Sequence, residues 1–362
     1  MTEIVNDVEQ CVDRAIARVG KQLVIGAPLG LGKPVQLINA FYRRAVADPG
    51  LSLHIYTALC LEVPTPAKGI EGNLSGPIIQ RLFGDYEELA FMAPLRKGTL
   101  PANIQISELY FKAGSMKNVA SAQQNYISSN YTHIARDMFN AGANVMVQLV
   151  AARHTPDGLS VSLSCNPDVA LEMMDKLHAS DRRHITIGQV HDDLPFMQND
   201  AEVGVGAFDL LVSNPQYNKS LFAVPNATVP LQDYATALHA STLVADGGTL
   251  QIGIGALGDA VAHSLILRQR HNRQYREAVQ ALSREKTAVA EDGGPFDQGL
   301  YVSTEMFVNG MLHLIENAVV KRKVYDHLAL QRGINAGLIS NRADAQLYDL
   351  CRSQGATPAR LD

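Results

Sequence analysis

The segment from residue 249 to residue 268, TLQIGIGALGDAVAHSLILR, joins an apolar strand to a helix through a glycine-rich turn. Its beginning has the composition of a strand, and its end repeats apolar side chains at the helical period. Gly253, Gly255 and Gly258 lie between them in the pattern GxGxxG. Backbone N–H groups at the start of a helix can hold an anion or a developing oxyanion, so this turn is a candidate site.

The same turn has two other interpretations, which both stay open. A dinucleotide-binding fingerprint combines GxGxxG with an acidic residue about 20 residues further on, at the end of the next strand. Glu277 lies near that distance, but within the charged segment 268–293, which we expect to be a solvated helix and loop. An NAD-binding oxidoreductase that uses Gly253, Gly255 and Gly258 is therefore a weaker hypothesis. The third interpretation is a purely structural turn.

The first half of the chain has a similar organisation. Residues 22–25 have the composition of a strand, a turn rich in glycine and proline follows, and residues 35–45 have a helical pattern. The turn resembles the P-loop GxxxxGK[ST], with Lys33 at the lysine position. However, Ala27 and Pro34 replace the glycine and the hydroxyl residue that this motif needs. Binding of a nucleoside triphosphate is therefore not expected.

Strands and helices alternate along both halves, which predicts an α/β protein with mainly parallel sheets. A helix is predicted over residues 3–19. The loop-rich stretch 213–229 separates the halves, and we predict domains at 1–215 and 231–362, joined by a linker at 216–230. The strand–turn–helix that begins each half indicates a weak internal duplication.

A second candidate site is the segment from residue 299 to residue 310, GLYVSTEMFVNG. It is typical of a buried strand, with Glu305 near its middle. A buried carboxylate costs free energy unless it is paired, protonated or functional. Perturbed buried groups cluster at functional sites. Glu305 is therefore either a satisfied structural residue or a catalytic one.

The composition excludes several classes of protein. The chain has 362 residues, 46% of them hydrophobic, and a net charge of −5, which argues against a nucleic-acid-binding protein. Its four cysteines form no CxxC pair and its histidines no HExxH motif, so neither a disulfide framework nor a metal site is expected. No signal peptide and no long apolar run is present, which favours a cytoplasmic protein without a membrane partner.

Taken together, these motifs resemble the acetyl-CoA hydrolase/transferase family, the family I CoA transferases. In the second half the resemblance lies in residues 249–261, Ser303-Thr304-Glu305-Met306 and Asn309-Gly310. In the first half it lies in residues 30–34, 125–128, 188–190 and Leu194-Pro195. The resemblance extends from about residue 20 to the end. It implies two similar CoA-transferase-like α/β domains.

The resemblance also implies a mechanism, in which the carboxylate of Glu305 attacks the thioester carbonyl of an acyl-CoA. The acyl-glutamyl anhydride that forms would react with the CoA thiolate, and the resulting glutamyl-CoA thioester would react with an acceptor carboxylate or with water. Gly253, Ile254, Gly255 and Gly258 would be the oxyanion and CoA-binding residues. CoA would enter as a thioester substrate, a small carboxylate would be the acceptor, and no cofactor would be bound permanently.

The sequence departs from the family pattern in two places. Gly258 stands where family members often have proline. The family also has a further glycine-rich segment after its catalytic strand, whereas the glycines after Glu305 are scattered singly. We therefore expect a C-terminally shortened member, whose second domain is incomplete. The alternative is a catalytically incomplete remnant or subunit, and the partner would be a second copy or a completing chain.

Overall fold

The computed structural model describes residues 2–66, 68–156, 158–165, 167–221, 228–283, 293–304, 306–325, 327–340 and 344–353. The chain divides into two compact units, Met1–Ala223 and Val224–Asp362. Among the described residues, no helix combines the length and the apolar character that a membrane span needs.

Unit 1 is built on one large sheet. Its strands are β1 (Glu3–Val5), β2 (Gln22–Leu29), β3 (Ser52–Ala58), β4 (Ile104–Glu108), β5 (Val145–Thr155), β6 (Gly158–Ser162), β7 (Ile185–Val190), β8 (Glu202–Gly204) and β9 (Leu210–Val212). Its α-helices are α1 (Val8–Val19), α2 (Val35–Ala47), α3 (Ile70–Phe83), α4 (Met92–Lys97), α5 (Ala120–Gln124), α6 (Ile134–Asn140) and α7 (Pro167–His178).

The sheet order is β1-β9-β7-β5-β2-β3-β4, and all of these neighbours are parallel. The prediction of an α/β fold with a mainly parallel sheet is therefore confirmed. The chain winds from β2 to one side and from β5 to the other, so the strand order reverses between β2 and β5. The strand β6 is an exception, since it pairs antiparallel with β5 and extends the sheet as a hairpin.

Helices cover both faces of this sheet. The apolar residues of α1 and α2 pack with β2, β3 and β4 in one buried cluster, while those of α6 and α7 pack on the opposite face. Two covered faces explain the nearly continuous apolar composition of the central strands. The prediction of one helix over residues 3–19 was wrong at its start. Glu3–Val5 pairs with β9, and α1 begins after Asp7, whose carboxylate accepts a hydrogen bond from the N–H of Glu9.

Unit 2 has a small parallel sheet and helices around it. Its strands are β10 (Thr249–Gln251) and β11 (Tyr301–Ser303), and its helices are α8 (Leu231–Ser241), α9 (Ala256–Arg270), α10 (Asn272–Leu282), α11 (Asn309–Glu316), α12 (Leu328–Asn335) and α13 (Ala345–Ser353). The prediction of a buried strand over residues 299–310 was wrong in extent. Among its described residues, Tyr301–Ser303 form a strand, Leu300 makes an isolated parallel bridge with Val320, and α11 begins at Asn309.

Arg268 corrects the prediction that residues 268–293 are solvated throughout. Its side chain is fully buried, although it lies in the charged segment. The guanidinium donates to the carbonyl oxygens of Gly294 at 2.7 Å and Val244 at 2.5 Å, and it stacks on the ring of Phe296. It thereby ties α9 to the chain segments before β10 and before β11. Residues 284–292 lie outside the described part of the chain.

We expect Arg268→Leu to destabilise the protein by about 3 kcal/mol, because buried carbonyl groups lose their donor. Denaturant unfolding of the full chain measures the change. Arg273→Leu is the matched control, since its side chain is 82% exposed, and it should cost about 0.5 kcal/mol or less. Equal losses in the two variants would contradict a clamping role for Arg268.

Asp246 fixes the approach to β11. Its carboxylate accepts hydrogen bonds from the backbone N–H groups of Gly247, Asp297, Gln298 and Gly299, at 2.8–3.0 Å. Burial alone would raise the pKa of Asp246, but together the four N–H groups outweigh burial and hold the pKa below its ordinary value of 3.8. The turn before β10 is thereby tied to the segment that leads into β11.

The lowered pKa of Asp246 sets the sign of a pH effect. Its contribution to stability is complete above the ordinary value of 3.8 and is lost as the pH falls through the folded-state pKa. We expect Asp246→Asn to cost about 2 kcal/mol at neutral pH, because the amide nitrogen would face backbone donors. The difference from the parent protein should shrink below pH 3.8 in urea unfolding. A difference that stayed constant across this pH range would contradict the role of the Asp246 carboxylate.

Candidate functional site

The two sequence motifs of unit 2 meet at the carboxyl ends of β10 and β11. The strands pair in parallel, with Gln251 opposite Ser303. The glycine-rich turn after β10 and the residues after β11 therefore begin at the same edge. The hydroxyl of Thr304 donates to the carbonyl oxygen of Ile252 at 3.0 Å, which links the two segments directly.

The turn itself has a geometry that only glycine allows at two positions. Gly255 has φ +119°, in the region that side chains rarely adopt. A Cβ atom on Gly258 would lie 2.2 Å from the carbonyl oxygen of Gly253. Gly253 has open space around it and no such restriction. The purely structural interpretation of GxGxxG thus accounts for Gly255 and Gly258, because the chain needs both to close the turn.

The start of α9 supplies the polar groups of this edge. The helix begins at Ala256, directly after Gly255, and the first N–H groups of a helix have no acceptor within it. Apolar side chains surround them. Ile254 is 62% exposed, and three more exposed apolar residues lie in the two segments, Leu257, Met306 and Phe307. The edge therefore combines free backbone donors with an apolar surface, a combination that suits a developing oxyanion.

Glu305, the predicted nucleophile, lies outside the described residues. Its chain neighbours are described: Thr304 is fastened to Ile252, and Met306 is about half exposed. Thr304 and Met306 both follow the end of β11 at Ser303. The role of Glu305 and of the turn stays a prediction.

Sequence reasoning missed a buried polar cluster in unit 1, at the carboxyl ends of β2, β3 and β4. The ammonium group of Lys33 donates to the carbonyl oxygens of Ala58 and Leu59. Glu108 is 2% exposed, and one of its oxygens accepts a hydrogen bond from the N–H of Cys60 at 3.4 Å. Its other oxygen, Oε1, has no hydrogen-bond partner among the described residues.

Burial shifts the titration of this Lys33–Cys60–Glu108 cluster. It lowers the pKa of Lys33, raises the pKa of Glu108 and raises the pKa of the Cys60 thiol well above its ordinary value. Each shift favours the neutral form, because a low-dielectric interior penalises charge. Lys33 stands in the P-loop-like turn, so the turn could have drawn attention to it. Glu108 is the last residue of β4, whose sequence is IQISE. The alternating pattern of this strand does not indicate that Glu108 is buried.

A small pocket opens near this cluster, between the carboxyl ends of β2, β5 and β7. Ligands in doubly wound sheets often bind where the strand order reverses, as it does here. However, the polar side chains of its lining are already paired with neighbours: Gln36 with Gln189, His191 with the carbonyl of Lys219, and Lys219 with Asp85. The pocket therefore carries a weaker case for a site than the edge in unit 2.

The structure does not favour the dinucleotide interpretation of the turn. Glu277, the acidic residue at the required distance, lies in α10, where its side chain faces Arg273. A ribose-binding carboxylate should instead stand at the end of the next strand. As for metals, the described part of the chain brings no three His, Cys, Asp or Glu side chains into a possible metal site.

We expect Gly258→Ala to destabilise unit 2 by about 1–3 kcal/mol, because the new methyl group overlaps the carbonyl of Gly253 and must displace the turn. Gly253→Ala is the matched control: the added carbon meets open space, so the change should stay within about 0.5 kcal/mol. Urea unfolding compares the two. If Gly258→Ala were as mild as the control, the close approach would be wrong.

Comparison with known proteins supports the fold. No protein-family model matches the chain, and no curated protein sequence does. Among solved structures, RipA from Yersinia pestis matches with a TM-score of 0.54 and 17% identity, covering 88% of this chain and 59% of RipA. A RipA mutant matches with a TM-score of 0.56 and 16% identity over similar shares, 88% and 59%. A 4-hydroxybutyrate CoA-transferase from Porphyromonas gingivalis matches with a TM-score of 0.46, 15% identity and shares of 88% and 58%.

The RipA similarities establish an α/β, CoA-transferase-like fold. At such low identity they show the fold alone. The chain spans somewhat under three fifths of the length of the RipA structures that it matches, 58–59%.

Proposed function

We propose that this chain belongs to the acetyl-CoA hydrolase/transferase family and transfers CoA from an acyl-CoA to a small carboxylate, or hydrolyses the acyl-CoA. One observation carries the proposal. The hydrogen bond from Thr304 to Ile252 joins the segment that leads to Glu305 to the glycine-rich turn. A nucleophilic carboxylate and the donors that stabilise the oxyanion must lie close together, around the same carbonyl group.

Glu305 is the nucleophile in this proposal. One of its oxygens forms a bond to the thioester carbonyl carbon, and the tetrahedral intermediate collapses with loss of the CoA thiolate to give an acyl-glutamyl anhydride. The thiolate then attacks the glutamyl carbonyl and releases the acyl group as a carboxylate. The glutamyl-CoA thioester passes CoA to an acceptor carboxylate by the reverse sequence, or water hydrolyses it. One difficult substitution is thereby divided into easier steps.

The turn stabilises the oxyanion of these steps. N–H groups around Gly253, Ile254, Gly255 and Gly258 stand at the start of α9, where donors are free of helical partners. The chain comes close to itself in this turn, since a Cβ atom on Gly258 would lie 2.2 Å from the carbonyl oxygen of Gly253. The exposed apolar side chains of this edge would exclude water when an acyl-CoA is bound, and a partly desolvated carboxylate is a stronger nucleophile.

The substrates follow from this chemistry. Acyl-CoA and a small carboxylate are the partners, and CoA is a substrate rather than a permanently bound cofactor. A cytoplasmic location fits such substrates. The nature of the acyl group depends on side chains that would contact it, so the first probe is the simplest thioester, acetyl-CoA.

A second candidate function is that of a catalytically incomplete subunit. The described part of unit 2 contains a sheet of two strands, whereas unit 1 contains nine strands. A short sheet with exposed apolar side chains at its edge favours completion by another chain. In that case the full chain would bind CoA thioesters without forming a covalent intermediate by itself.

The decisive experiment incubates the full chain with acetyl-CoA and measures its intact mass after trapping with hydroxylamine or borohydride. We expect a modification at Glu305, and Glu305→Gln should reduce turnover at least about a thousand-fold. The control is Glu277→Gln, which changes an exposed glutamate and should leave modification and turnover intact.

Three outcomes separate the hypotheses. Modification at Glu305 supports the transferase or hydrolase, and a carboxylate acceptor then distinguishes transfer from hydrolysis. Binding of acetyl-CoA by folded protein without modification contradicts an active enzyme and favours the incomplete subunit. Quenching of NADH fluorescence without either result would favour the oxidoreductase.

A further inference from the structure

Helix α3 carries an uncovered apolar stripe. Its side chains at Ile70, Leu74, Ile78 and Leu82 are 89%, 73%, 54% and 37% exposed. The four residues are spaced by four, so they form one stripe along the helix. The half-buried residues of α3 lie on the opposite side: Gly72, Ser75, Gly76, Ile79 and Phe83. The helix is therefore apolar on both sides, and unit 1 covers one of them in part.

The residues of α3 do not make it a stable helix by themselves. Gly72 and Gly76 lower helix propensity, and Pro77 removes one backbone hydrogen bond from its middle. Such a helix depends on the packing of its apolar side chains. A further surface is therefore needed to cover the stripe.

The stripe is self-complementary about its midpoint. Ile70 and Leu82 stand six residues on either side of Gly76, and Leu74 and Ile78 stand two residues on either side. Two charged residues beside the stripe have the same symmetric placement. Glu71 lies five residues before Gly76, and Arg81 lies five residues after it. Both are exposed, and neither forms an ion pair with a side chain in the described residues.

We propose that a second copy of this chain covers the stripe, with two α3 helices packed antiparallel about a two-fold axis at the level of Gly76. This arrangement sets Ile70 level with Leu82 of the partner subunit, and Leu74 level with Ile78 of the partner subunit. Glu71 then lies level with Arg81 of the partner subunit. A two-fold interface must use the same patch on both copies, and this patch meets that condition in shape and charge.

The charges select the direction of pairing. In a parallel pair, Glu71 would lie level with Glu71 of the partner subunit, and the arginines would be opposed in the same way. The antiparallel pair brings opposite charges together twice. Like charges at an interface disfavour wrong arrangements more strongly than opposite charges add affinity.

The helix length sets the expected strength. Fourteen residues extend about 21 Å, so two such helices bury less than a typical specific interface of about 1,600 Å². The dimer should therefore dissociate at low concentration, and association should depend on salt because of the flanking charges. The proposal does not rest on the proposed function, since α3 lies in unit 1.

Sedimentation velocity of the full chain over a range of concentrations tests the proposal. We expect a monomer–dimer equilibrium, which Glu71→Arg or Arg81→Glu alone weakens about ten-fold, because each substitution creates two like-charge contacts. The double variant Glu71→Arg/Arg81→Glu should recover association to within about three-fold of the parent, since the swap restores both pairs. Lys117→Glu, a charge reversal at an exposed position elsewhere in unit 1, is the matched control and should not change association.

The stripe is tested separately with Leu74→Ser/Ile78→Ser, which should abolish dimerisation without lowering the unfolding midpoint of the monomer. A monomer at all concentrations would overturn the proposal, as would a charge-swapped double variant that stays as weak as the single variants. Loss of monomer stability in the stripe variant, without any dimer in the parent, would show that the chain itself covers the stripe.

Discussion

The parallel pairing of β10 with β11 is the constraint on which the candidate site depends. Two strands of three residues each offer little stability by themselves. Their register is therefore held from outside the strands, by the Asp246 carboxylate before them and by the Thr304 hydroxyl after them. Both side chains bind backbone groups that flank the two strands. They therefore hold the segment after β11 at the edge where the glycine-rich turn begins.

In unit 1, burial of the sheet holds the strands in place. Its long parallel sheet is buried on both faces, which accounts for the apolar composition of β2, β5 and β7. Its polar cluster at Lys33, Cys60 and Glu108 lies where three strands end. Burial lowers the pKa of Lys33 and raises the pKa values of Cys60 and Glu108, so the interior favours the neutral form of each group.

Much of the fold could be predicted from the sequence, because periodicity and glycine position are local signals. The strand β2 and the helix α2 form close to where the pattern places them. The errors have physical causes. Residues 3–5 became a strand because β9 offers an edge, and Arg268 became buried because the carbonyl groups of α8 and Gly294 converge on it. Neither partner is visible in the local sequence.

By itself, the sequence determined the alternation of strands and helices, the two glycine-rich turns and the candidacy of Glu305. These depend on local backbone preferences and on residue type. The tertiary structure decided which strands pair and which polar groups lose their water. It placed Thr304 against Ile252 and buried Glu108. Such contacts join residues far apart in the chain, and only the packed fold brings them within hydrogen-bonding distance.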